Sequence, residues 1–135
     1  MSDLDRAKAL LTGDKTCVLA KGEAVYTSSE NGIRPIMGHL AAGTDLLGFS
    51  VADRVVGKAA ALLFLRAGIS AVWGDVMSES AAALLRARGV PFSCGVLTPR
   101  IVNRAGTGVC PMEAAVGDVD DPDAAYAIFR EKLKG

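Results

Sequence analysis

The residues of this sequence best suited to chemistry lie in one segment, Asn103–Val116, with the sequence NRAGTGVCPMEAAV. Within it, Cys110 stands directly before Pro111, and Glu113 follows shortly after. This order is typical of a helix start with Cys110 as the N-cap and Glu113 in the first turn. A thiol at the positive end of a helix is stabilised as the nucleophilic thiolate. Cys110 is therefore a candidate nucleophile with Glu113 as its acid or base, and the alternative is that both residues only cap a helix.

The same segment also has the character of an anion-binding loop. Gly106 and Gly108 allow neighbouring backbone N–H groups to turn towards one point, and Arg104 adds a positive charge. Polar groups that converge on one helix start are typical of small-ligand sites. We therefore predict ligand contacts from Asn103, Arg104, Thr107, Gly108, Cys110 and Met112.

Lys58 is unusual because it lies in an otherwise apolar stretch, VVGKAAALLFL. The stretch is not a phosphate-binding P-loop, since Ala52 and Ala59 occupy the positions that this motif gives to glycine and to serine or threonine. Lys58 either extends along the edge of a helix into solvent or places its ammonium group beside Asp53 in a pocket for an anion.

The remaining histidine and cysteine residues give no site. His39 is the only histidine, and no ligand-type residue stands near it in MGHLAAG, so we expect a packed or surface role. Cys17 and Cys94 lie in apolar stretches, where thiols are inert core groups. Because the three cysteines form no C-x-x-C pair, the sequence predicts neither a disulfide framework nor a zinc site. We expect no metal and no cofactor.

The composition fits one globular domain spanning residues 1–135. Its 15 basic and 15 acidic residues cancel, which disfavours nucleic acid as a partner because phosphate-backbone binding needs a basic surface. Neutrality also removes charge repulsion between copies, so we expect a homo-oligomer, most simply a dimer. The N-terminus lacks the order of a signal peptide, and the longest apolar run, Ala59–Leu65, is too short to cross a membrane. These features favour a cytoplasmic protein with no membrane partner.

Apolar periodicity and turn residues predict alternating helices and strands. The strongest helix is predicted over residues 51–68, with Asp53 as its N-cap, Gly68 just past its end and a buried central position. The other predicted elements are a helix over 3–11, a hairpin over 16–28, a short helix over 36–42, strands over 69–77 and 90–98, a helix from the Ser78 N-cap to Gly89, a short strand over 100–104, a short helix over 110–116 and a C-terminal helix over 121–134 with Pro122 in its first turn. This order predicts an α/β domain with helices on both faces of a mixed sheet.

Three stretches together, DRVVGKAAALLFLRAG, VMSESAAALLRARGV and NRAGTGVCPMEAAV, resemble an uncharacterised bacterial and archaeal protein family. That family is placed by fold in the cytidine-deaminase-like superfamily, and the resemblance extends from the first helix through Val116. It implies a three-layer α/β/α sandwich around a mixed sheet of about five strands.

The zinc deaminases of that superfamily carry H-x-E at one helix start and P-C-x-x-C at the next. The corresponding starts here are Val56-Gly57-Lys58 and Met77-Ser78-Glu79-Ser80, which hold no histidine and no cysteine. The resemblance therefore implies the pocket without its zinc and argues against deamination. It implies a pocket formed by Asp53, Lys58, Ser78 and Glu79, with the segment 103–113 closing over them.

Two functions follow from these residues. We expect a sensor or regulatory protein that binds a small anionic, possibly nucleotide-like, ligand, since helix N-termini, the two glycines, Lys58 and Arg104 favour negative charge. The alternative is a metal-independent enzyme with Cys110 as its nucleophile and Glu113 or Lys58 as its proton carrier.

Overall fold

A computed structural model describes residues 2–102, 106 and 108–134 of the chain. Its strands are β1 (Cys17–Lys21), β2 (Ala24–Ser28), β3 (Ser50–Val56), β4 (Ala71–Ser78) and β5 (Phe92–Thr98). Its helices are α1 (Asp3–Leu10), α2 (Arg34–Ala42), α3 (Lys58–Ala67), α4 (Glu79–Ala87), α5 (Pro111–Ala115) and α6 (Pro122–Lys134).

The five strands form one mixed sheet in the order β2-β1-β3-β4-β5. Strand β1 pairs antiparallel with both β2 and β3, whereas β3, β4 and β5 run parallel to one another. Parallel neighbours need a crossover, and α3 and α4 supply the two crossovers between them. The predicted mixed sheet is confirmed, and both crossover helices start at the carboxyl ends of adjacent strands.

Helices cover both faces of the sheet, as the element order predicts. Helix α1 packs on one face, against β1, β3 and β4, over a small apolar cluster that consists of Ala7, Leu11, Val18, Ala20 and Ala52. The other helices belong to the opposite face, where α3 contacts α2, α4, α5 and α6. The larger apolar core lies there and includes the fully buried side chains of Leu62, Leu63 and Phe129.

The prediction of one helix over residues 51–68 is wrong for its first half. Ser50–Val56 forms β3, and the helix begins only at Lys58 after an extended Gly57. A strand that is covered on both faces reads as a nearly continuous apolar run, so its pattern merges with that of the buried helix that follows. Asp53 is consequently not a helix N-cap but a residue in the middle of the central strand.

Other boundaries differ by a few residues. Helix α2 begins two residues earlier than predicted because Pro35 stands in its first turn, a position that proline tolerates. Helix α4 ends with Arg88 as its C-cap, and Gly89 follows with a φ of 72° in the left-handed region. Of the predicted strand over 100–104, residues 100 and 101 are not in a strand and Val102 forms an isolated bridge with Val109, while residues 103 and 104 lie outside the described residues. None of the helices within the described residues is long and apolar enough to cross a membrane.

Candidate functional site

A cleft of about 490 Å³ opens beyond the carboxyl end of β3. One wall comes from the turn between β2 and α2, where Gly32 has a φ of 61° and brings Ile33 and Arg34 to the cleft. The lining residues of the other side are Val55, Val102, Cys110, Pro111, Met112 and Leu133. A smaller cavity of about 70 Å³ lies beside this cleft, against the start of α3, and shares Ile33, Val55, Cys110 and Met112 with it. Open sheets with parallel strands commonly hold their ligands at this edge.

Arg34 is the one charged side chain among the described residues that line the larger cleft. Its guanidinium group makes no ion pair or side-chain hydrogen bond with another described residue. The rest of the lining is apolar or neutral, and Val55 and Val102 are 42% and 54% exposed. As far as the structure describes its lining, the cleft therefore offers a largely apolar surface with a single positive charge.

The carboxylate of Glu113 is bound to the start of α3. The backbone N–H of Lys58 donates to Oε1 at 2.7 Å, and that of Ala59 donates to Oε2 at 2.8 Å. The N-terminus of a helix leaves such N–H groups without internal partners and carries partial positive charge, so a carboxylate there is favourable. Gly57 makes the approach possible, because a Cβ atom at that position would collide with both carboxylate oxygens. Glu113 therefore caps a helix N-terminus, but the capped helix is α3 and not α5, to which Glu113 itself belongs.

Lys58 holds the segment that follows α5. Its Nζ atom donates to the carbonyl oxygen of Gly117 at 3.0 Å and pairs with Oδ1 of Asp120 at 2.9 Å. The side chain is only 13% exposed. The ammonium group is therefore engaged with Asp120, and the predicted neighbour Asp53 is not its partner.

Asp53 is buried in β3 opposite Cys17 of β1, with 7% of its surface exposed. Burial raises the pKa of the Asp53 carboxyl to about 7, although hydrogen bonds from the Val55 and Arg54 amides and from the Cys17 thiol partly oppose that rise. Burial, together with the nearby carboxyl group, raises the pKa of the Cys17 thiol well above its usual value. Neither Asp53 nor Cys17 lines the cleft or the smaller cavity. Asp53 therefore belongs to the interior of the sheet rather than to the predicted pocket.

Ser78 and Glu79 lie at the start of α4, one strand away from the cleft. Ser78 is the N-cap, as predicted, and its Oγ accepts from the backbone N–H of Ala81 at 3.1 Å. It is fully buried, whereas Glu79 is exposed. Neither residue lines either cavity. The structure therefore does not bring Ser78 and Glu79 together with the cleft residues. The reason is that α4 starts at the end of β4, whereas the cleft lies beyond the end of the neighbouring strand β3.

Of the predicted residues in the segment 103–113, Cys110 and Met112 line both cavities. Cys110 is the N-cap residue of α5, but its thiol makes no capping hydrogen bond. This differs from the predicted cap, and it leaves the partly exposed sulfur beside the cleft. Gly108 is exposed and does not line the cleft, and Asn103, Arg104 and Thr107 lie outside the described residues.

His39 is engaged away from the cleft. Its Nδ1 atom lies 3.3 Å from Oγ1 of Thr44, and its ring centroid lies 4.9 Å from that of Tyr26. Partial burial lowers the pKa of this histidine below its usual value. Within the described residues, no group of three or more histidine, cysteine, aspartate or glutamate side chains is arranged to hold a metal ion.

The family profile described as TM1506, a domain of unknown function (DUF1893), matches residues 6–133. The chain belongs to the DUF1893 family. A DUF1893 family protein (TM1506) from Thermotoga maritima, known from its crystal structure, is 28% identical in sequence. The similarity covers 98% of this chain and 91% of that one, with a TM-score of 0.86. No curated protein matches the sequence.

Sequence reasoning missed Arg34 and the partner of Glu113. Arg34 stands at the start of a helix whose predicted bounds did not include it, and nothing near it in the sequence sets it apart. The contact between Glu113 and α3 spans 55 residues, so no local pattern reports it. The extended glycine before α3 is the one signal that a large group approaches this backbone.

Proposed function

We propose that this protein binds a small molecule with an apolar body and one anionic group in the cleft beyond β3, as a sensor or regulatory protein. The observation that supports this proposal is Arg34, which is the one charged side chain among the described lining residues and has no ionic partner within the described part of the chain. The guanidinium group presents a planar fork of donors that suits a carboxylate or phosphate. The volume of about 490 Å³ is in the range of small-molecule sites.

The electrostatics of the cleft wall favour the same ligand class. Glu113 follows Met112 directly in α5, and its negative charge would repel an anion if the carboxylate faced the cleft. Its two oxygens instead accept hydrogen bonds from the Lys58 and Ala59 amides. The charge is thereby compensated by the start of α3, and Arg34 sets the local sign.

We propose that this α/β fold with a mixed sheet is of the cytidine-deaminase-like type. It is supported by the sheet order β2-β1-β3-β4-β5 and by α3 and α4, which start behind adjacent parallel strands. In the zinc deaminases these two helix starts carry the metal ligands. Here Gly57 and the carboxylate of Glu113 occupy the first start, and Ser78 occupies the second. We therefore propose binding rather than deamination.

An enzyme with Cys110 as its nucleophile is the alternative, and it needs a base near the sulfur. The candidates within the described residues are engaged elsewhere: Glu113 with the α3 amides, Lys58 with Asp120, and His39 with Thr44. The geometry supports this alternative less well than it supports binding.

Binding of 2-naphthoate and its neutral isostere 2-naphthamide, followed by NMR titration, tests the proposal. We expect naphthoate to bind more tightly than naphthamide and Arg34→Gln to weaken naphthoate binding at least about fivefold, the effect of losing roughly 1 kcal/mol. Naphthamide binding should not change. Arg86→Gln is the matched control, because Arg86 is an exposed helical arginine stacked over Phe92 and away from the cleft. Equal affinity for both probes, or equal loss in both variants, would overturn the proposal.

A further inference from the structure

Helix α5 packs loosely on the rest of the molecule. None of its five residues is buried, and its principal packing partner is α3. Met112 and Ala115 contact the edge of the core but remain partly exposed. Val116, directly after the helix, is fully buried. The segment 110–116 is therefore anchored firmly at its end and held in its middle by Glu113.

The geometry of Glu113 fixes more than the distance of α5 from the core. Both oxygens of its carboxylate accept backbone N–H groups, from Lys58 at 2.7 Å and from Ala59 at 2.8 Å. Two acceptors on two neighbouring donors define the orientation of the side chain as well as its position. Since Cys110 and Met112 lie on the same short helix and line the cleft, their placement depends on the same pair of hydrogen bonds.

The contacts of Lys58 do not replace this attachment. Its Nζ atom reaches Gly117 and Asp120, which lie beyond the buried Val116. Loss of Glu113 therefore leaves the chain after Val116 in place and removes the two hydrogen bonds that hold the middle of α5 against α3, while the backbone N–H of Cys110 still donates to the carbonyl oxygen of Ile101 at 3.0 Å.

We infer that Glu113 is a positioning residue that orients α5 so that Cys110 and Met112 form one wall of the cleft, and that α5 loses this orientation and opens more often when the carboxylate is removed. The inference rests on the proposed function in that the cleft is taken as the binding site. It adds to the proposed function that the contact between Glu113 and the start of α3 sets the shape of the cleft.

Amide hydrogen exchange of α5 in the full chain tests the inference directly. The backbone N–H of Ala114 donates to the carbonyl oxygen of Cys110 at 3.0 Å, so its exchange reports opening of the helix. We expect Glu113→Ala to accelerate exchange at Ala114 at least about tenfold. Ser78→Ala is the matched control, because it removes a comparable cap from α4 without touching α5. It should leave Ala114 exchange within about twofold of the wild type.

Naphthoate affinity provides a readout that a merely structural role would not change. Glu113→Ala should weaken naphthoate binding at least about fivefold, whereas Ser78→Ala should not, at similar loss of global stability. If Glu113→Ala does not fold, Glu113→Gln keeps the size and one accepting oxygen and should give intermediate exchange. Wild-type exchange rates at Ala114 in a folded Glu113 variant would overturn the inference. Failure of naphthoate to bind the wild type would refute the proposed function alone, because the exchange experiment does not depend on it.

Discussion

Replacing Asp53 with asparagine tests the buried carboxyl group at the centre of the sheet. Burial raises its folded-state pKa from the ordinary 3.8 to about 7. Between these values the unfolded chain releases its proton while the folded chain retains it, so the wild type loses stability as the pH rises through this interval. One pKa unit corresponds to about 1.36 kcal/mol, which gives a loss of at most ~4 kcal/mol in the free energy of unfolding.

Asparagine keeps the shape of the protonated side chain and cannot ionise. We expect the Asp53→Asn variant and the wild type to have similar free energies of unfolding near pH 4. Above pH 7 the variant should be more stable by up to ~4 kcal/mol, because it carries no buried charge. Urea denaturation at several pH values between about 4 and 8 measures this difference.

Asp120→Asn is the control with the opposite sign. Asp120 is exposed, and its hydrogen bond and ion pair with Lys58 lower the pKa of its carboxyl. Its contribution to stability is present above the ordinary pKa and is lost as the pH falls, so this variant should lose stability at neutral pH and not in acid. A stability difference between Asp53→Asn and the wild type that does not change with pH would refute the reasoning.

Two further predictions concern the start of α3 and the assembly of the chain. Gly57→Ala should destabilise the fold by about 2 kcal/mol in urea denaturation, since its Cβ would displace the Glu113 carboxylate from two charge-assisted hydrogen bonds. The same change in a Glu113→Ala background should cost much less, and additive losses in the double variant would contradict the assigned contact. We also propose that the protein is a homo-oligomer because its net charge is zero, and light scattering should give at least twice the chain mass of 13.9 kDa. A monomer at micromolar concentration would contradict this proposal.

Elements with local signals could be predicted from the sequence. The hairpin β1–β2 turns at Gly22, which has a φ of 57°, and α4 starts at Ser78 with the predicted cap. Strand β3 could not be separated from α3, because both are rich in buried apolar residues and only Gly57 lies between them. What makes Ser50–Val56 a strand is its pairing with β1 and β4, which is a property of the whole fold rather than of the local sequence.

The candidate site could be predicted only in part for the same reason. The immediate sequence neighbours of Cys110 and Met112 predict both residues at the site, and both line the cleft. The sequence pattern predicts Asp53 at the start of a helix and therefore beside the site, whereas residues 50–56 form a strand and Asp53 lies in the interior of the sheet. Arg34 comes to the cleft from a turn almost eighty residues before α5, at a distance in sequence over which local patterns carry no information.

The two crossover helices start at the same edge of the sheet. The side chains that cap them, however, lie at very different distances along the sequence from the amides that they cap. Ser78 caps α4 across 3 residues, whereas Glu113 caps α3 across 55. Closing the longer loop costs about 2.5 kcal/mol more chain entropy on the logarithmic dependence of that cost on loop length. The first turn of α4 can therefore form as soon as its own residues are present. The first turn of α3 obtains its cap only when Glu113 has docked, so the capping of this central helix depends on residues that are synthesised well after the helix itself.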